Sequence, residues 1–217
     1  MARLDDYEES FRLAADELKR ADLGHLAGKA GMEISVSEGG EVCMRLAFLG
    51  SLFVIRVGER VEVGREGSTD SVPLPEQILI CHYVLHAPGG PETGRPITFR
   101  QIPDGQFYYE AFRKRTRDPF LATFGEDKDL FRTCGETLGG KPVEGGDIAM
   151  VFQVFPRVAV QLIFWAGDDE FPPEASFLFD ANMRRGLSAE DIAVMTGMLV
   201  YRLMGIARSA RGRAVNP

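Results

Sequence analysis

The run DIAMVFQVFPRVAVQLIFWAGDDEFPPEASFLFD (147–180) decides the fold. Two β-rich stretches, 147–155 and 158–165, flank Pro156-Arg157. A proline between two apolar runs marks a turn, because it fixes φ and supplies no backbone donor. The simplest reading is a central hairpin, with 175–180 as a third strand beside it. Alternation along these runs is weak, as expected for strands covered by helices on both faces. Trp165 and Phe171 stand on either side of the turn Gly167-Asp168-Asp169-Glu170. Aromatic anchors in those places predict two largely buried rings that hold the acidic turn in a fixed shape.

Working outward, Val42, Met44, Leu46 and Phe48 alternate with Cys43, Arg45 and Ala47, and a second apolar run follows over 52–57. This predicts another hairpin turning at Gly50-Ser51, extended by a short strand at 61–63. Leu4, Tyr7, Phe11, Ala14 and Leu18 recur at helical spacing, which predicts a first helix over 3–21, with Asp5 and Asp6 where the helix dipole favours acids. Pro73 and Pro75 open a helix over 75–87, and Pro88-Gly89-Gly90-Pro91 ends it. A short strand at 97–100 precedes Pro103-Asp104-Gly105, a turn in which glycine would supply the positive φ. Further helices are expected at 106–116, 118–124 and 126–138. Ser188 with Asp191 three residues on resembles a capping box, with Asp in place of the usual Glu. The long C-terminal helix after it carries Ile192, Met195, Leu199, Leu203 and Ile206 on one face, and the tail 208–217 reads as frayed. Antiparallel groups of strands flanked by helices, including an N-terminal and a long C-terminal one, make the fold class α+β. The chain reads as one domain over 1–217, with a division near 70 as the alternative.

Composition bounds the function without naming it. The chain has 217 residues, 45% hydrophobic and 26% charged, so disorder as the main state is excluded. A net charge of −7 gives no basic footprint for phosphate backbones, so a nucleic-acid partner is not expected. The longest apolar runs fall short of the ~18–20 residues of a membrane span. The opening MARLDDYEES has no apolar core of a signal peptide. Cys43, Cys81 and Cys134 are too widely spaced for a zinc or iron–sulfur motif. The expectation is a cytoplasmic protein with reduced thiols and no membrane partner.

Three constellations could carry chemistry. His82 lies on the apolar stripe of the 75–87 helix, and His86 follows at the four-residue spacing that lets two imidazoles meet one metal. No glutamate stands between them to act as a base, which excludes a metalloprotease. The competing reading is a core histidine bonded to a backbone carbonyl. Second, Asp168, Asp169 and Glu170 repel one another unless they pair, coordinate a metal or face water; a solvated acidic turn is the plain alternative. Third, aromatic and basic residues interleave from Phe99-Arg100 through Tyr108-Tyr109 to Phe112-Arg113-Lys114-Arg115. Arginine forks with a tyrosine hydroxyl suit an anionic small molecule, while the plain alternative is a basic helix face that neutralises the acidic turn. No Ser-His-Asp or Cys-His triad can be argued from spacing.

Together these residues carry a family likeness. A helix with His82-Tyr83, then Thr93-Gly94 with Phe99-Arg100, then Pro103, Gly105, Tyr108, Phe112 and Arg115 follow in order. Gly146-Asp147, the run from Trp165 to Pro172 and Leu178-Phe179-Asp180 complete the string. Over about 70–200 the chain resembles the DUF3786 family of prokaryotic proteins. The resemblance implies an origin mainly among anaerobic bacteria and archaea, some of whose longer members join this domain to a four-cysteine iron–sulfur module. It directs attention to His82, Arg100, Tyr108, Asp168, Glu170 and Asp180 as cofactor-binding candidates. A metal set would draw on His82, His86 and Asp169.

Three function classes follow. The first is a binding protein of anaerobic metabolism for a small molecule or metal cofactor, either a metal ion or a corrinoid or other tetrapyrrole. The second is an enzyme using His and carboxylate acid–base chemistry on a small anionic substrate. The third is an accessory protein docking onto a redox or methyl-transfer partner. For the first two, the acidic turn and the His helix are expected to converge.

Overall fold

The two hairpins become the centres of two separate antiparallel sheets. The computed structural model describes residues 4–215, with side chains as far as 212. The first sheet has the order β1-β2-β3-β4, from β1 (Glu33–Val36), β2 (Val42–Phe48), β3 (Ser51–Val57) and β4 (Val61–Arg65). The second has the order β5-β9-β8-β7-β6, from β5 (Pro96–Thr98), β6 (Lys141–Val143), β7 (Ile148–Phe155), β8 (Val158–Trp165) and β9 (Glu174–Asp180). The α+β class therefore stands, and the 147–165 hairpin is central with β9 beside it.

Three local readings are corrected. The β2–β3 turn sits at Leu49-Gly50, not Gly50-Ser51, and both residues take positive φ (46° and 76°), which matches the twist of the strands. Leu49 accepts that conformation while its N–H donates to the Val154 carbonyl, joining the two sheets. In the 103–105 turn the positive φ belongs to Asp104 (60°). Gly105 is instead required because a Cβ there would sit 2.0 Å from the Phe99 carbonyl oxygen. The strands of the second sheet alternate clearly, because only one face is fully covered. Ile148, Met150, Phe152, Val160, Leu162, Phe164, Phe177 and Phe179 are buried on that face, while Gln161, Ile163 and Leu178 on the other stay partly exposed.

The covering helices are α4 (Gly105–Arg115), α5 (Arg117–Phe124), α6 (Lys128–Thr137) and α7 (Ala189–Val215). Phe120 meets Phe124, Phe131, Phe164 and Phe177 edge-on or tilted, and Phe112 stacks on Phe99 with ring centroids 4.0 Å apart. By length and composition α7 could cross a membrane, but half of that apolar stretch is buried in the fold. Ile192, Met195, Leu199 and Leu203 are fully buried in the core. The segment read as frayed is helical as far as Val215, and 216–217 lie outside the described residues.

Toward the N-terminus, α1 (Leu4–Leu18) packs along α3 (Leu74–His86), and α2 (Leu23–Ala30) and β1 add elements that periodicity did not mark. Nearly every residue of α3 from Ile78 to Leu85 is buried, His82 being the partial exception. An all-round apolar helix belongs at the centre of a fold. Tyr83 makes it so: its ring stacks on Phe155 (4.1 Å), which stacks on Phe48 (4.5 Å). Its hydroxyl donates to the Ala30 carbonyl (2.6 Å) and accepts from the Arg157 amide (3.0 Å).

Candidate functional site

His82 and Tyr83 are neighbours in sequence, and a helical step of 100° sends their side chains to different sides. Tyr83 enters the core. His82 turns toward the start of α7, where its Nδ1 lies 2.7 Å from Oδ1 of Asp191. The partner is thus a carboxylate 109 residues away, not a backbone carbonyl. The capping box explains why Asp191 is held there. Ser188 Oγ donates to Asp191 Oδ2 (2.7 Å), and the Asp191 amide donates back to Ser188 Oγ (3.1 Å). One carboxylate oxygen caps the helix and the other receives the imidazole.

Electrostatics favour the charged pair. Asp191 occupies the first turn of α7 and His82 the last turns of α3, so each sits at the helix end whose dipole suits its charge. The hydrogen bond that His82 donates to Asp191 raises its pKa above the ordinary value; burial works against it, and the charges of Asp191, Glu17 and Glu190 add to it. For Asp191, burial pushes upward, but the hydrogen bonds and charge from His82 and Ser188 outweigh it, leaving the carboxyl below its usual range. With the proton on Nδ1 facing Asp191, the neutral ring keeps its lone pair on Nε2.

The pair forms part of the wall of a cleft of about 490 Å³. Tyr7 and Ser10 of α1, Ile78 and Leu79 of α3, Val194, Met198 and Tyr201 of α7, and Arg115 at the end of α4 complete the lining. Apolar surface outweighs polar surface in it, while Tyr7, Ser10 and Tyr201 add hydroxyls to the polar groups of His82, Ser188, Asp191, Glu190 and Arg115. An imidazole fixed by a carboxylate, facing an apolar cleft, can ligate a metal through Nε2 or move a proton there.

The other sequence candidates lie elsewhere. His86 is exposed one turn along α3, its ring centroid 6.3 Å from that of His82. Arg100 stacks over the Tyr109 ring at 3.8 Å and lines a separate cleft of about 330 Å³ with Arg113 and Arg117. Tyr108 lines neither cleft and is partly exposed. Asp180 caps the short helix Ala181–Arg185, accepting from the amides of Thr93, Gly94 and Asn182 and the Thr93 hydroxyl. Asp168, Asp169 and Glu170 form an exposed turn that does not line the His82 cleft. Asp168 shapes it by accepting from the Phe171 and Glu170 amides, bonds that lower its pKa. Trp165 is 39% and Phe171 67% exposed, contrary to the expected anchors. An Asx turn made by backbone bonds needs no aromatic clamp. Nor do the neighbouring arginines neutralise this turn: Arg113 pairs with Glu110 and Asp118, and Arg117 with Glu174. Among the described residues no three His, Cys, Asp or Glu side chains gather as a metal set.

Asp191 is the residue that sequence reasoning read only as a cap. Its one signal is the shorter acid in the capping box, which leaves an oxygen free to bond outside the helix.

Comparison with curated proteins and with solved structures finds no match. The family model for DUF3786, described as a domain of unknown function, matches residues 22–202. That span takes in β1 to β9, the His82 helix and the Asp191 end of α7, so the chain belongs to the DUF3786 family.

Proposed function

We propose that the protein binds a small molecule or cofactor in the His82 cleft, with Nε2 of His82 as its principal polar contact. The observation that carries this reading is the Ser188–Asp191–His82 chain of hydrogen bonds, which fixes a half-buried imidazole at an apolar wall. A carboxylate behind an imidazole sets its tautomer and raises its basicity, as it does behind metal-bound histidines. The cleft offers one histidine and no cluster of further ligands among the described residues, so a bound metal would bring its own. A corrinoid or other tetrapyrrole does so, and is our choice of ligand class. Cys43, Cys81 and Cys134 are free thiols, which suits a reducing cytoplasm.

The test is a visible titration of haemin and of aquocobalamin with the protein. The expected result is a shifted spectrum that disappears in His82→Ala while circular dichroism shows an intact fold. An unperturbed spectrum together with an unchanged Tm for both compounds would remove the metal-cofactor reading. A second reading then takes its place, because the His82–Asp191 pair is also a general acid–base dyad, its imidazole made more basic by the bond to Asp191. The candidate acid–base residues would be His82 and Asp191, not the 168–170 turn.

A further inference from the structure

Arg113, Arg115 and Arg117 alternate along one segment, yet they are not equivalent. Arg113 is held by Asp118 at 2.7 Å and by Glu110, and Arg117 is held by Glu174 and Asp118. The Arg115 guanidinium has no ion-pair or hydrogen-bond partner among the described residues, although the residue is only partly exposed and lines the His82 cleft. The end of α4 packs against α7 here: a Cβ built on Gly197 would stand 3.4 Å from both Cβ and O of Arg115, an ordinary contact distance. The cleft carboxylates do not satisfy it. Asp191 is taken by His82 and Ser188, and Glu190 forms no ion pair with it.

The guanidinium of a partly buried arginine without a carboxylate is a donor fork waiting for an oxyanion. We infer that Arg115 anchors the anionic head of the ligand, a carboxylate or a phosphate, while the ligand's apolar body lies on Ile78, Val194 and Met198. This rests on the reading of the His82 cleft as a ligand site, and it adds the ligand's charge and orientation. It does not depend on a metal.

The experiment is isothermal titration of the full chain with decanoate, decyl phosphate and decanol. These share an apolar body and differ in the head. Both anions are expected to bind at least about tenfold tighter than decanol, the size of one charge-assisted contact. Arg115→Met should erase that preference, and Arg115→Lys should retain part of it. Arg115 has no protein partner to lose, so both variants are expected to keep the wild-type circular dichroism and Tm. A preference for one anion over the other separates carboxylate from phosphate. Equal binding of anions and decanol, a preference that persists in Arg115→Met, or no binding of any of the three would overturn the inference. If haemin and aquocobalamin fail to bind while the Arg115-dependent preference stands, the metal-cofactor reading falls alone. His82→Ala should abolish the haemin or aquocobalamin signal.

Discussion

Replacing Asp191 by Asn tests the centre of the site, because it removes the charge and keeps the shape. In the native protein Oδ1 receives the His82 Nδ1 proton and Oδ2 receives the Ser188 hydroxyl. An asparagine must turn its amide nitrogen toward one of them. If it faces His82, Nδ1 becomes the acceptor and the neutral ring moves its proton to Nε2, removing the lone pair that faces the cleft. The pair is largely buried, with side-chain exposures of 29% and 12%. Losing a hydrogen bond between charged groups there should cost about 1.5–3 kcal/mol. The pH dependence follows from the shifts. A raised His82 pKa means that the pair's contribution is complete below the ordinary histidine value of 6.5 and is lost as pH rises through the folded value. A lowered Asp191 pKa means that its contribution is present above the ordinary 3.8 and is lost as pH falls through the folded value. The stability gap between wild type and Asp191→Asn is therefore fully present between the ordinary values of 3.8 and 6.5, and narrows as pH rises through the folded His82 value. Urea unfolding at several pH values measures it, and an NMR titration of the His82 ring reads the pKa directly. A gap that stays constant while the His82 ring titrates, or a wild-type His82 that titrates below 6.5, would refute the charged pair.

Two further outcomes concern the frame around the site. Tyr83→Phe removes a buried hydroxyl that serves the Ala30 carbonyl and the Arg157 amide, leaving both without that partner; chemical denaturation should show a loss of about 2–4 kcal/mol with ligand binding at His82 unchanged. Phe171→Ala should cost under about 1 kcal/mol by thermal melting, since the ring is mostly exposed and the turn is held by Asp168; a loss above ~3 kcal/mol would mean that the ring packs elsewhere.

Local pattern was enough to read the secondary elements and the class. Both hairpins, the α3 helix between its proline signals and the Ser188–Asp191 cap follow from periods of 2 and 3.6 and from turn chemistry, all of which act within a few residues. Short elements escaped: α2 and β1 are too brief and too weakly patterned to stand out, and exposed Glu33–Val36 pairs only with β2. The place of His82 beside apolar neighbours was legible too, from helical spacing. What it bonds to was not. The approach of α3 to the start of α7 joins residues 109 apart, and no spacing rule reaches across a helix crossing. The same holds for Arg115, which differs from Arg113 and Arg117 in that packing brings it no carboxylate among the described residues. Conversely, the acidic 168–170 turn, Asp180 and Arg100 drew attention by composition. Packing gave Asp168 and Asp180 backbone amides to hold and Arg100 a tyrosine ring, all away from the imidazole. Sequence supplied the elements and the chemistry each side chain carries. Tertiary structure alone decided which of them meet, because helix crossings and sheet faces are set by burial of the whole apolar surface and not by any one motif.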